Sequence, residues 1–293
     1  MFYNIPSNRD DGLFIFPGSL TSGTNEWKAW TIPSSANYIS MIAIGPGGNG
    51  GLGRAVANGT TKGGGGGGAS GAISKAIYTT KFLPSVIYYN LSTTETTISA
   101  EPSSTNSLYV KLLFALAGGT GGTSTGATSG VGGTAPVAAT DASVGPPPFL
   151  GSALSYHALA GVAGVAGSTS VTSFLLAGAI GITGGAGGAA TTATPVFGTG
   201  GSITNNSIDY FPSVAGGTGN SGGKGNDGAN GYWFWKPHLC GMGGGGGGAG
   251  NGLPGKGGNG GFGCGGGGGG SCVTADANAF GLGGPGLIII KCW

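Results

Sequence analysis

The chain has 293 residues, 72 of them glycine, with 7% charged residues and a formal net charge of +2, where ordinary soluble domains carry about 25% charged residues. Glycine at this density is usual in unfolded low-complexity chain, but an apolar fraction of 39% with five Trp, nine Tyr and twelve Phe excludes that reading. Eleven basic residues, of which only Arg9 and Arg54 are Arg, are too scattered to track a nucleic-acid backbone, and a charge-poor surface suits a subunit of an assembly better than a freely diffusing enzyme.

The N-terminus, MFYNIPSNRDDGLF, lacks the basic region and apolar core of a secretory signal. Short apolar segments then alternate with glycine: LFIF (13–16), EWKAWTI (26–32), YISMIAI (38–44), AISKAIY (72–78), SVIYYNL (85–91), SLYVKLLFAL (107–116) and, at the end, LIIIKCW (287–293). Their β-branched and aromatic content and their Gly, Pro and Ser boundaries predict strands. Three regions follow: 1–117, β-rich with a first glycine block; 118–215, rich in Ala, Gly, Ser and Thr; and 216–293, glycine-dominated and closed by a strand. The charge-free stretch 159–182 reaches membrane-spanning length. Its polar middle, GSTSVTS, and the spacing of Gly161, Gly164 and Gly167 predict a buried or subunit-facing segment instead.

The glycine follows a period. GKGGNGGFG (255–263) and GPGGNGGLG (45–53) each read as G-x-G triplets. A repeat of three belongs neither to an α-helix nor to a strand but to the extended left-handed helix that rises about 3.1 Å per residue. Such a helix has no internal hydrogen bonds, so buried N–H and C=O groups must bond sideways to neighbouring helices. Only a residue without a β-carbon permits that approach. Gly216, Gly219, Gly222, Gly225, Gly228 and Gly231 hold one frame, which as a single rod would extend roughly 50 Å. Gly178, Gly181, Gly184 and Gly187 hold a shorter one, and Gly255, Gly258 and Gly261 continue a frame from Gly243 broken only by Ala249. The hexaglycine blocks 63–68, 243–248 and 265–270 fit any frame. Collagen shares the period but needs far more proline. The predicted fold class is all-β: a strand cover around a bundle of polyglycine type II helices, with little or no α-helix.

No catalytic, cofactor or metal site is expected. The many G-x-G-x-x-G matches lack a strand–turn–helix setting, and GGKG (222–225) lacks the Ser or Thr that a phosphate loop requires. His157 and His238 belong to no nucleophile motif, and the nine carboxylates form no acid/base pair; Asp10 and Asp11 read as a solvated turn. Cys240, Cys264, Cys272 and Cys292 read as small packing residues. A Cys264–Cys272 disulfide is the alternative, and zinc is weaker still without a C-x-x-C pair.

YWFWKPHL (232–239) lies between two glycine runs, where the chain must turn at the end of the bundle. Tyr232, Trp233, Phe234 and Trp235, with Tyr210 and Phe211 of ITNNSIDYFP, are the candidate recognition or subunit-contact residues, since aromatics stack on sugars or fill receptor pockets. The bland alternative is that they plug the bundle. RAVANGTTK (54–62) and PPPFL (146–150) are further end-loop candidates.

FPGSLTSGTNEWKAWTIPSSANYISMIAIGPGGNGG, with its WTIPSSA turn, and the closing GGPGLIIIKCW resemble the glycine-rich domain of phage tail proteins. The resemblance covers both ends of the chain, while residues 120–210 are less glycine-dense than it implies. It implies a non-enzymatic virion structural protein of tail-fibre, tail-tip or adhesin type, assembled in the host cytoplasm. Its partners would be other virion subunits, further copies of itself, and a host cell-surface glycan or protein, with no nucleic acid and no cofactor. The alternatives are a capsid or head–tail accessory subunit, and a cell-surface glycine-rich structural protein.

Overall fold

The computed structural model describes residues 12–19, 26–102, 110–139, 153–168, 174–175, 181–204, 212–234, 240–276 and 278–293. One antiparallel sheet has the order β1 (Leu13–Pro17), β13 (Leu287–Cys292), β3 (Tyr38–Ile44), β4 (Ile73–Thr79), β8 (Ala153–Leu159). A second has the order β2 (Lys28–Thr31), β5 (Val86–Leu91), β6 (Glu95–Ser99), β7 (Lys111–Leu116). Two-residue pairs, β9 (Phe174–Leu175) with β10 (Ile203–Thr204) and β11 (Trp233–Phe234) with β12 (Cys240–Gly241), and one 3-10 turn (Thr80–Phe82) complete the regular elements. The fold is all-β, with no α-helix among the described residues. β6 and β8 lie in ETTIS and ALSYHAL, outside the apolar segments whose composition predicts strands.

The two sheets pack face to face. Ile39, Met41 and Ala43 of β3 and Ile288 and Ile290 of β13 meet Ile98 of β6 and Leu113 and Ala115 of β7. Each large aliphatic buried there contributes about 1.5–3 kcal/mol. The alternate residues, Ile44 of β3 and Leu287 and Ile289 of β13, face away from the second sheet and enter another apolar cluster with Ile182, Trp233 and Phe262. Both faces of β3 and β13 are therefore covered, which explains why YISMIAI and LIII read as unbroken apolar runs rather than alternating ones.

The strands run directly into glycine rods. β3 leads into 45–53, β7 into 117–124 and β8 into 160–168, while rods 63–71 and 279–286 lead into β4 and β13. Lateral bonds between rods recur every third residue. In 63–71, Gly65 and Gly68 donate to the carbonyls of Gly269 and Gly266, Gly66 and Ala69 to Gly122 and Gly119, and Gly67 and Ser70 to Val165 and Val162. Its own carbonyls accept in the same rhythm, from Gly188 and Gly185, from Gly51 and Gly48, and from Gly130 and Gly133. These bonds are 2.7–3.0 Å long and join six neighbouring rods. This is the three-residue polyglycine II arrangement that the period predicts.

Neighbour number decides composition. Rods 242–250 and 264–272 are enclosed in the same way, each by six others, and with 63–71 they hold the three hexaglycine blocks. An enclosed rod has no open side: a β-carbon on Gly65, Gly66 or Gly67 would lie 2.0, 1.8 or 2.1 Å from a neighbour's carbonyl oxygen. Peripheral rods keep one open side per turn, and there the third position carries Asn49 and Leu52, or Lys256 and Asn259.

One sequence expectation is corrected. The frame 216–231 is not one long rod. It folds back through 220–224 into two antiparallel legs, with Asn226 donating to Thr218 and Ala229 to Ala215. Eight of the nine scaffold glycines (Gly216, Gly219, Gly225, Gly228, Gly231, Gly255, Gly258 and Gly261) sit where a β-carbon would be 1.9–2.4 Å from a carbonyl oxygen. Gly222, in the turn, meets only Asn220 Oδ1 at 3.5 Å. Cys264, Cys272 and Cys292 are buried free thiols, as packing residues would be; Cys264 and Cys272 stand at opposite ends of one rod, about 25 Å apart at the rise of such a helix, so the alternative of a disulfide between them falls.

The three sequence regions do not fold apart: rod 63–71 bonds to rods from all of them, and β13 inserts between β1 and β3. Within 159–182, the described residues 160–168 form a rod bonded to 63–71 and 182–190. No helix among the described residues is long and apolar enough to cross a membrane.

Candidate functional site

Rods fix two opposite ends. At the sandwich end, Tyr232 to Phe234 return through β12, with Trp233 opposite Gly241 and Phe234 opposite Cys240. Gly241 is required here, because a β-carbon would lie 2.4 Å from the Trp233 ring. Trp233 is only 7% exposed, in edge-to-face contact with Phe262 at 5.9 Å, and packs with Ile44, Ile73 and Ile289 under the first sheet. Tyr232 meets Phe234 edge-on at 4.9 Å, and its hydroxyl donates to the Pro212 carbonyl. Trp233 thus fills the joint between rods and sandwich and offers no open face to an external ligand. Trp235, Tyr210, Phe211 and the loop 146–150 lie outside the described residues.

The connections 54–62, 191–196, 220–224, 251–253 and 273–276 gather at the other end, the tip. Val56 donates to Cys272 (3.1 Å), Lys62 to Thr191 (2.9 Å), Asn251 to Asn220 (3.1 Å), Gly252 to Gly223 (3.0 Å) and Val273 to Gly252 (3.2 Å), all backbone to backbone. Side chains add to these links. Asn58 Nδ2 donates to Asn251 Oδ1 at 2.8 Å, Asn220 Oδ1 accepts from Gly222, and Ser271 shares a 2.7 Å hydroxyl contact with Thr191. Segments far apart in sequence therefore form one surface rich in Asn, Thr and Gly. Val196 and Leu253 are its exposed large apolar residues. Such a mix of adaptable polar groups with a few apolar contacts is common in recognition loops. Of the end-loop candidates, RAVANGTTK is the one placed here. The remaining tip loops were missed because they are short and carry no aromatic residue.

Electrostatics at the tip are sparse. Burial pulls the Lys62 ammonium below its ordinary pKa, only partly offset by the nearby Cys272, and burial pushes the Cys272 thiol up to about 11. Desolvation pushes the Asp227 carboxyl up, but the Lys256 N–H at 2.8 Å and the Lys224 ammonium at 2.9 Å outweigh it and hold the group below its usual value. Among the described residues no group of three or more His, Cys, Asp or Glu could hold a metal ion.

At the far end of the sandwich, beyond the strand ends opposite the rods, Tyr38 stacks on Trp293 at 6.0 Å. Phe82 (69% exposed), Leu154 (60%) and Trp293 (51%) leave this base apolar.

By architecture the molecule is a β-sandwich that carries a glycine-rod array. The chain matches no protein-family model and no curated protein sequence.

Proposed function

We propose that the protein is a non-enzymatic structural subunit of a phage particle, of tail-fibre, tail-tip or adhesin type. The tip loops contact the host surface, a glycan or a protein, and the apolar base seats on other virion subunits. The observation that carries this reading is the convergence of sequence-distant loops at one end of a stiff, hydrogen-bonded rod array. A rod lattice anchored in a sandwich holds its connections at fixed positions, which is what a contact surface requires. Exposed apolar area at the opposite end supplies an attachment site.

The test is binding of the purified protein to intact host cells. Replacing Thr60, Thr61 and Leu253 together by Glu is expected to abolish cell binding without changing thermal stability. Replacing Phe82 and Leu154 by Asp is expected to spare cell binding and impair incorporation into particles. If the tip variant binds cells normally and only the base matters, the accessory-subunit reading replaces this one.

A further inference from the structure

Five asparagines are followed directly by glycine: Asn49, Asn58, Asn230, Asn251 and Asn259. In such a pair the next amide nitrogen can reach the side-chain carbonyl most easily, because glycine has no β-carbon in the way and turns freely. Ring closure needs that nitrogen uncommitted. In four pairs it is locked: Gly50 donates to Gly281 (2.9 Å), Gly231 to Asn259 (2.7 Å), Gly252 to Gly223 (3.0 Å) and Gly260 to Leu282 (2.9 Å). The N–H of Gly59 has no acceptor among the described residues. Gly59 is exposed, takes a φ of 94°, and has nothing within 4 Å of its β position.

The side chain beside it is activated as well. Lys62, itself fully buried, donates from Nζ to Asn58 Oδ1 at 3.1 Å, while Asn58 Nδ2 is held by Asn251 at 2.8 Å. A cationic donor on that oxygen stabilises the negative charge that develops when a nucleophile adds to Cγ.

We propose that Asn58 is a self-modification site, converted to an acid by attack of the Gly59 nitrogen with Lys62 as the activating group. A bond forms between Gly59 N and Asn58 Cγ. The Cγ–Nδ2 bond breaks, and Nδ2 leaves as ammonia with the proton that Gly59 gives up. The cyclic imide then takes up one water. Opening at Cγ leaves aspartate, and opening at the main-chain carbonyl leaves the chain routed through the side chain. Only water is consumed. The new carboxylate forms beside the Lys62 amine, giving a buried cation the charge partner that no described residue supplies in the amide form.

The test is peptide mapping by mass spectrometry of the full-length protein during incubation in warm neutral buffer. The amide-to-acid mass change is expected at Asn58 at least about ten-fold faster than at the other four sites, because only there is the nucleophile free and the carbonyl oxygen bonded to an ammonium rather than to an amide. This ordering is read on the unaltered chain and depends on no variant. Lys62→Met is expected to slow the Asn58 reaction several-fold. Equal rates at all five sites would overturn the proposal. So would a permanent loss of ammonia that joins Lys62 to Asn58, since the lysine would then be the nucleophile and not the activator.

Discussion

A β-carbon on Gly268 would stand 2.1 Å from the carbonyl oxygen of Gly65, while the Gly268 amide donates to Ala186 at 2.9 Å on another side. Gly268→Ala is therefore expected to cost about 3 kcal/mol or more, since rods on every side block relief of the overlap. Gly223 is the internal control. Nothing lies within 4 Å of its β position and its φ is negative. Gly223→Ala is expected to be neutral or stabilising by up to about 1 kcal/mol. Thermal unfolding of the two variants, side by side, checks the pair.

Rod 279–286 is clasped by side chains. Asn49 Oδ1 accepts from Gly283 at 2.9 Å and Asn259 Oδ1 from Leu282 at 2.9 Å, one from each flanking rod. Asn49→Ala leaves the buried Gly283 amide without an acceptor, a loss of about 1–3 kcal/mol. Amide exchange at Gly283 should accelerate, and in Asn259→Ala the effect should fall on Leu282 instead. Exchange rising equally across both rods in either variant would contradict the clasp.

Trp233 is the bundle's plug. Trp233→Ala is expected to destabilise the fold by about 3–5 kcal/mol through the cavity left against Phe262 and Ile44. Urea unfolding measures it, and Trp233→Phe should recover part of the loss. A Trp233→Ala variant of unchanged stability would return this residue to the recognition surface.

The buried Cys272 thiol gives a pH signature. The folded chain holds it neutral up to about 11, whereas the unfolded thiol loses its proton from 9.0 upward. Its contribution is complete below the unfolded value and is lost as pH rises toward the folded one, by up to about 3 kcal/mol. Lys62 acts in the opposite sense. Its depressed pKa makes the unfolded chain the better proton binder below its ordinary value, so its share of stability recovers as pH rises. In Cys272→Ala the alkaline decline should flatten, and unfolding midpoints taken across this range decide it.

The sequence showed the period and the strands that flank it, because a spacing of three survives in GKGGNGGFG without any tertiary information. It did not show why some stretches are G-x-G and others hexaglycine. That distinction depends on how many rods surround each one, a property of the assembled lattice that no local pattern carries. The fold-back at 220–224 was hidden because Gly222 and Gly225 keep the frame through the turn. ETTIS gives no apolar signal because three of its four buried positions, Thr96, Thr97 and Ser99, carry hydroxyls. YWFWKPHL drew attention as the densest aromatic run, and aromatic density alone does not separate a plug from a contact loop. Placing Trp233 required the position of Phe262 and the underside of the first sheet.

Strand-to-rod continuity at Ile44–Gly45 and Gly286–Leu287 has a consequence for how such a chain can change length. One inserted residue turns everything beyond it by about 120°, aiming amides where carbonyls stood. Growth or trimming of the array is therefore quantised in whole triplets, whereas the tip connections, outside that rhythm, accept any number.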